Sequence, residues 1–139
     1  MIQEFFNFEI DTDGQKLYEF TEDVTNWINK NKFNNGIINL SIQHTSASLI
    51  IQENADPDVQ TDLINYFNNL VPMDNSLYIH TTEGKDDMPA HIKSSLTNNQ
   101  ISLSIKNKKL LLGAWQGLYL FEHRLNCQNR KVIFHFIGN

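Results

Sequence analysis

With 139 residues, 40% of them hydrophobic and 11% aromatic, and only three prolines and six glycines, the chain fits one compact domain. Sixteen acidic against eleven basic side chains leave a net charge of −5 with the five histidines neutral, which carries no electrostatic footprint of a nucleic-acid binder. Cys127 stands alone, ruling out an internal disulfide or a site of several thiolates, and no run of about 18 apolar residues occurs, so a cytoplasmic protein without a membrane partner is expected.

Phe6, Phe8 and Ile10 alternate with Asn7 and Glu9, which predicts a half-buried strand over residues 4–10, and Asp13-Gly14 turns the chain. Over residues 15–30, Leu17, Phe20, Val24, Trp27 and Ile28 align as one stripe of a helix. Asn34-Asn35-Gly36 ends that segment, and Ile38, Leu40 and Ile42 alternate with polar residues in a strand that runs into His44. Residues 48–52 are β-prone; Asp56 as N-cap and Pro57 at the first helical position then start a helix with Val59, Leu63, Phe67 and Leu70 on its buried face, stopped by Pro72. Residues 76–80 read as extended and 81–88 as a polar loop, and Pro89 opens a short helix with Ile92 and Leu96 inward, closed by Asn98-Asn99. Four β-like runs finish the chain: 100–105, 109–112 across a hairpin at Asn107-Lys108, 117–122 and 131–137. The expectation is an α+β domain, an antiparallel or mixed sheet with about three helices on one face.

Four of the five histidines sit in polar clusters at the ends of elements. His44 closes a strand and opens Thr45-Ser46-Ala47-Ser48, a run of hydroxyls able to line a pocket or bind an anion. His80 ends a short extended run, and His91, followed by Lys93, Ser94 and Ser95, falls near the start of a helix, where free amides favour negative ligands. His44, His80 and His91 can supply a three-imidazole metal site, although their long separations match no compact signature and a histidine so placed is more often an ordinary surface or capping residue. His123 lies between Glu122 and Arg124, while His135 falls inside the last strand. Asp56 is accounted for by capping, whereas Glu53 follows a strand running away from His44 on the same pocket side. Asp86-Asp87 can help hold a divalent ion with substrate phosphates, but an acidic pair in a polar loop is ordinarily solvated. Gly113-Ala114-Trp115-Gln116-Gly117 sets an indole between glycines, as a core anchor or as a platform for a heteroaromatic ring. Glycine-rich phosphate loops and the GxSxG nucleophile motif are missing.

Three blocks, His44-Thr45-Ser46-Ala47-Ser48 with Glu53-Asn54-Ala55-Asp56-Pro57-Asp58, Glu83-Gly84 with Asp86-Asp87-Met88-Pro89-Ala90-His91-Ile92-Lys93-Ser94-Ser95, and Gly113-Ala114-Trp115-Gln116-Gly117 with Glu122-His123-Arg124, resemble the YjbQ-like family in content, order and spacing. The resemblance spans nearly the whole chain as a single domain, 1–139. It implies an α+β homotrimer with weak or auxiliary secondary thiamine-phosphate synthase activity, joining a pyrimidine pyrophosphate to a thiazole phosphate. It places His44, His80 and His91 around a shared pocket that takes metal or anions, and Trp115 and Gln116 in a signature block. His123 is a softer match, and Ala114 stands where the family has threonine.

On these grounds His91, His44 and Glu53 are the candidate catalytic residues, and Thr45, Ser46, Ser48, Lys93, Ser94, Trp115, Gln116 and Arg124 the candidate contacts of a small phosphorylated substrate. His44, His80 and His91 are the candidate ligands of a divalent metal, zinc or a similar ion, or magnesium. The rival readings are a metal-dependent hydrolase of a small phosphoester or amide and a non-catalytic small-molecule or metal-binding module.

Overall fold

The computed structural model describes residues 1–139. In chain order the elements are β1 (Ile2–Asp13), β2 (Lys16–Glu19), α1 (Thr21–Asn31), β3 (Gly36–Ile42), β4 (Ala47–Glu53), α2 (Pro57–Leu70), α3 (Asp87–Leu96), β5 (Gln100–Lys106), β6 (Lys109–Leu110), β7 (Gln116–Glu122) and β8 (Cys127–Gly138), with a 3-10 turn at Asn75–Leu77. They form an α+β domain of two antiparallel sheets, one in the order β1-β8-β3-β5-β6 and a smaller one in the order β2-β7-β4.

The alternation in the sequence explains how the sheets stack. Ile38, Leu40 and Ile42 of β3 and Val132, Phe134 and Phe136 of β8 face Ala47 and Leu49 of β4 and Leu118 and Leu120 of β7 in one core, which Phe20, Val24 and Ile28 close from the side of α1. On the reverse of the small sheet, Leu17, Tyr119 and Phe121 pack against Leu63, Ile64 and Phe67 of α2. β7 is therefore covered on both faces, which is why Leu118 to Phe121 is a continuous apolar run. No helix is long and apolar enough to cross a membrane.

Local signals hold where backbone chemistry dictates them. Asp58 N–H donates to Asp56 Oδ1 at 2.9 Å, so Asp56 caps α2 with Pro57 behind it. Asn107 and Lys108 both take positive φ, 52° and 66°, as a two-residue hairpin requires.

Four expectations need correction. The stripe starting at Leu17 is not one helix: Leu17 lies in β2 opposite Phe121, and α1 begins only after Phe20. α2 buries no residue completely and Leu70 is exposed, because the helix lies outside the small sheet and touches it only through its middle turns. The run at 76–80 begins inside the 3-10 turn, in which Asp74 Oδ1 accepts from the Ser76 amide. α3 starts at Asp87, before Pro89, so His91 falls in its second turn. The buried face of α3 carries Asp87, Ala90, Lys93 and Ser94, while Leu96 points to solvent.

Gly36 sits opposite Gly138 where β3 meets β8, and a Cβ on Gly36 would come to 2.8 Å from the Gly138 Cα and 2.7 Å from the Phe136 ring. Gly36→Ala is expected to destabilise the domain by about 1–3 kcal/mol through overpacking, read as a lowered midpoint in thermal or urea unfolding.

Candidate functional site

Asp87 and His91 lie one turn apart on α3, so their side chains share a face. His80, from the segment after the 3-10 turn, reaches the same point. Asp87 Oδ2 lies 2.7 Å from His80 Nε2 and 3.2 Å from His91 Nε2, and one donor atom from each of the three residues falls within 4.8 Å of the others. Asp87 is buried at 2% side-chain exposure, whereas His80 and His91 keep 44% and 31%, so the group is anchored inside and open outside.

The surroundings orient each member. Arg124 Nη1 donates to Asp87 Oδ1 at 2.6 Å, leaving Oδ2 to the imidazoles; Arg124 is itself set by Asp86 Oδ2 at 2.9 Å and the Glu83 carbonyl at 2.9 Å. The Leu125 amide also donates to Asp86 Oδ2, at 2.9 Å. Burial opposes ionisation of Asp86 and Asp87, but hydrogen bonds and the Arg124 guanidinium prevail and hold both below the usual carboxylate value. His91 Nδ1–H donates to the Thr45 carbonyl at 2.9 Å. In the neutral ring this leaves a lone pair on Nε2 facing a carboxylate oxygen, and two electron-rich atoms at that distance require a proton or a metal ion between them. Two imidazoles and a carboxylate, with the remaining directions open, form a donor set that suits a divalent transition metal.

The structure distributes the other candidates differently. His44 stands outside the trio, and Asp87 takes the third place expected of it. The Lys131 amide donates to His44 Nε2 at 2.8 Å, and burial, reinforced by Arg130, lowers the His44 pKa. Ser46 accepts from Arg130 Nη2 at 3.0 Å, and Thr45 contributes its carbonyl. Ser48, Lys93 and Ser94 are buried: Ser48 Oγ bonds His123 Nε2 at 2.9 Å, Lys93 Nζ donates to Asn68 Oδ1 at 2.6 Å, and Ser94 Oγ donates to the Ala47 carbonyl at 3.0 Å. Their contacts tie α3 and β4 to their neighbours; burial lowers the Lys93 pKa to about 8. Arg124 supports the two aspartates.

Glu53, Trp115 and Gln116 lie at the far end of the small sheet. Ala47 pairs with Glu122 at one end and Glu53 with Gln116 at the other, about 20 Å away at the rise of a strand. Trp115 is 66% exposed there. Sequence reasoning named Asp87, with Asp86, as able to help hold a divalent ion but did not join it to His80 and His91, and it missed Glu122–Arg130 as a buried pair. The Asp87-x-x-x-His91 spacing, one helical turn, was the signal for the first.

The chain matches the UPF0047 protein YjbQ-like family over residues 6–139. It is 48% identical over 129 residues to the UPF0047 protein sll1880 of Synechocystis, covering 93% of this chain and 88% of the relative. To the UPF0047 protein YugU of Bacillus subtilis it is 32% identical, covering 80% and 82%. The fold is similar to the crystal structure of an uncharacterized conserved protein of the YjbQ/UPF0047 family from Clostridium acetobutylicum, with a TM-score of 0.86, 30% identity and coverage of 95% and 99%. It is also similar to that of the hypothetical protein APE1520 from Aeropyrum pernix, with a TM-score of 0.89, 20% identity and coverage of 98% and 99%.

His123 is buried with Nδ1 unpartnered, and burial, with Lys93 and Arg130 nearby, pushes its pKa down to about 3. The folded chain thus holds it neutral where the unfolded chain protonates it from about 6.5 downward. Its contribution to stability is complete above pH 6.5 and falls by about 1.4 kcal/mol per pH unit as pH drops toward 3. Urea unfolding across that range should show His123→Phe with a shallower loss of stability than the parent.

Proposed function

This chain belongs to the YjbQ-like UPF0047 family, and from that premise we propose that His80, Asp87 and His91 hold a divalent metal ion at which a small phosphorylated substrate is transformed. The observation that carries the reading is the convergence of His80 Nε2 and His91 Nε2 on Asp87 Oδ2, at 2.7 and 3.2 Å, with His91 turned there by the hydrogen bond from Nδ1–H to the Thr45 carbonyl. Bound there, the ion would supply charge neutralisation and polarisation of a phosphoryl oxygen.

The chain's own groups supply the rest. Arg124 fixes Asp87, and Thr45 fixes the His91 ring. His44, neutral with Nε2 occupied by the Lys131 amide, carries its proton on Nδ1, where it can donate to a phosphoryl oxygen. Asp86 and Asp87 are balanced in part by Arg124, so a divalent ion leaves the open face positive and suited to an anionic substrate. The reaction we put first is the one implied by the resemblance to secondary thiamine-phosphate synthases: displacement of pyrophosphate from a pyrimidine pyrophosphate by a thiazole phosphate.

Elemental analysis and zinc or cobalt titration test the site. Asp87→Ala and His91→Ala should lose the ion, while His44→Ala should keep it; retention in the first two overturns the site. With the ion bound, pyrophosphate release that requires both substrates identifies the transferase, whereas release from the pyrimidine pyrophosphate alone identifies a hydrolase.

The homotrimer implied by the resemblance is part of the proposal. It is supported by the outer face of the five-stranded sheet, where Phe5 and Ile37 are 64% and 55% exposed and Ile37 lies directly opposite the exposed Ile137. Sedimentation should give three chains per particle, and a monomer at micromolar concentration overturns it.

A further inference from the structure

A second carboxylate stands at the edge of the trio. Glu83 Oε2 lies 3.6 Å from His80 Nε2, the same nitrogen that faces Asp87 Oδ2 at 2.7 Å. Two carboxylates converging on one imidazole nitrogen repel each other unless a cation or a shared proton lies among them.

The approach of Glu83 is built into the backbone. Its carbonyl accepts from Arg124 Nη2 at 2.9 Å, so one guanidinium holds both the Glu83 main chain and the Asp87 carboxylate. Gly84 follows with φ +108°, and the Asp87 amide donates to the Gly84 carbonyl at 3.3 Å, which closes the turn between the two acids. The Glu83 side chain is 63% exposed and free to swing into water, yet its ion-pair contact is with His80 and with no lysine or arginine. A long, exposed carboxylate 3.6 Å from the His80 imidazole that already faces Asp87 fits a ligand position.

We propose that Glu83 is a fourth protein ligand of the divalent ion held by His80, Asp87 and His91. The inference rests on the reading of that trio as a metal site, and it narrows the ion. Two nitrogens and two carboxylate oxygens close the shell of a tetrahedral zinc, whereas a six-coordinate ion such as manganese, iron(II) or cobalt(II) keeps two positions for substrate oxygens.

The test is titration of cobalt(II) into metal-free full-length protein, followed by calorimetry and visible absorption, for the parent, Glu83→Ala, Glu83→Gln and Asp87→Ala. Because the Glu83 side chain is exposed and its hydrogen bond to Arg124 comes from the main chain, both Glu83 variants should fold, as circular dichroism will report. The parent is expected to give the weak bands of six-coordinate cobalt, and both Glu83 variants to bind about tenfold or more weakly with an altered spectrum. Parent-like affinity and spectrum in both Glu83 variants, with binding lost in Asp87→Ala, overturn the role of Glu83 and leave the trio standing. Failure of the parent to bind cobalt, zinc or manganese removes the trio and this inference with it.

Discussion

A buried ion pair holds together the end of the molecule where the candidate chemistry gathers. Arg130 grips Glu122 through Nε to Oε1 at 2.7 Å and Nη2 to Oε2 at 2.6 Å. Glu122 also accepts from Thr12 Oγ1 at 2.6 Å and the Arg124 amide at 3.1 Å, and Arg130 donates to Ser46. Burying either charge alone would cost several kcal/mol, and the fork geometry with filled lone pairs offsets this. The pair joins β1, β7, β8 and the segment between β3 and β4. It thereby fixes two groups on which the trio depends: the Thr45 carbonyl, which orients His91, and Arg124, which orients Asp87. Its contribution is to position more than to net stability, since an apolar replacement of similar volume can be equally stable yet would release both segments.

The same logic runs through α3. An ordinary surface helix docks through an apolar stripe, but here the buried residues include Asp87 on Arg124, Lys93 on Asn68 and Ser94 on the Ala47 carbonyl, beside Pro89 and Ala90. Apolar packing tolerates sliding and small rotations; directed hydrogen bonds to three separate elements do not. For a helix that presents Asp87 and His91 to a common point, angular definition matters more than buried area. The cost is a buried lysine, whose ammonium is desolvated and whose pKa falls accordingly.

The fold was largely legible because its strands alternate and its turns carry their own chemistry. Ile38, Leu40 and Ile42 could face only one way, Asp56-Pro57 is a start signal, and Asn107-Lys108 turned where expected. Leu17 misled because a short strand that runs straight into a helix places Leu17 and Phe20 at helical spacing, and only the partner strand with Phe121 separates the cases. The site was legible in His80 and His91, whereas Asp87 was legible only as half of an acidic pair with solvation as its ordinary fate. An acidic pair in a polar loop is solvated unless a cation covers it, and the covering residue, Arg124, lies 37 positions further along the chain. His44 was drawn off by a backbone amide of β8, a contact without a sequence signature.

The direction of β4 was read correctly, and its length decides what Trp115 can do. Seven residues carry the strand to Glu53, so Glu53, Trp115 and Gln116 lie about 20 Å of sheet from the Thr45–Ser48 end, where the Thr45 carbonyl holds His91. A small phosphorylated molecule held at the trio does not span that distance, so within one chain Trp115 cannot stack on a ring whose phosphate sits there. Yet the loop is well held: the Asn54 amide donates to the Trp115 carbonyl at 3.0 Å, and Gln116 Oε1 accepts from the Gly113 amide at 2.7 Å. A rigid loop that presents an exposed indole loses little conformational entropy when something covers it. The domain is therefore two-ended, with its polar donor group at one end of the small sheet and a preorganised aromatic surface at the other. The buried strand β7 between them sets their separation.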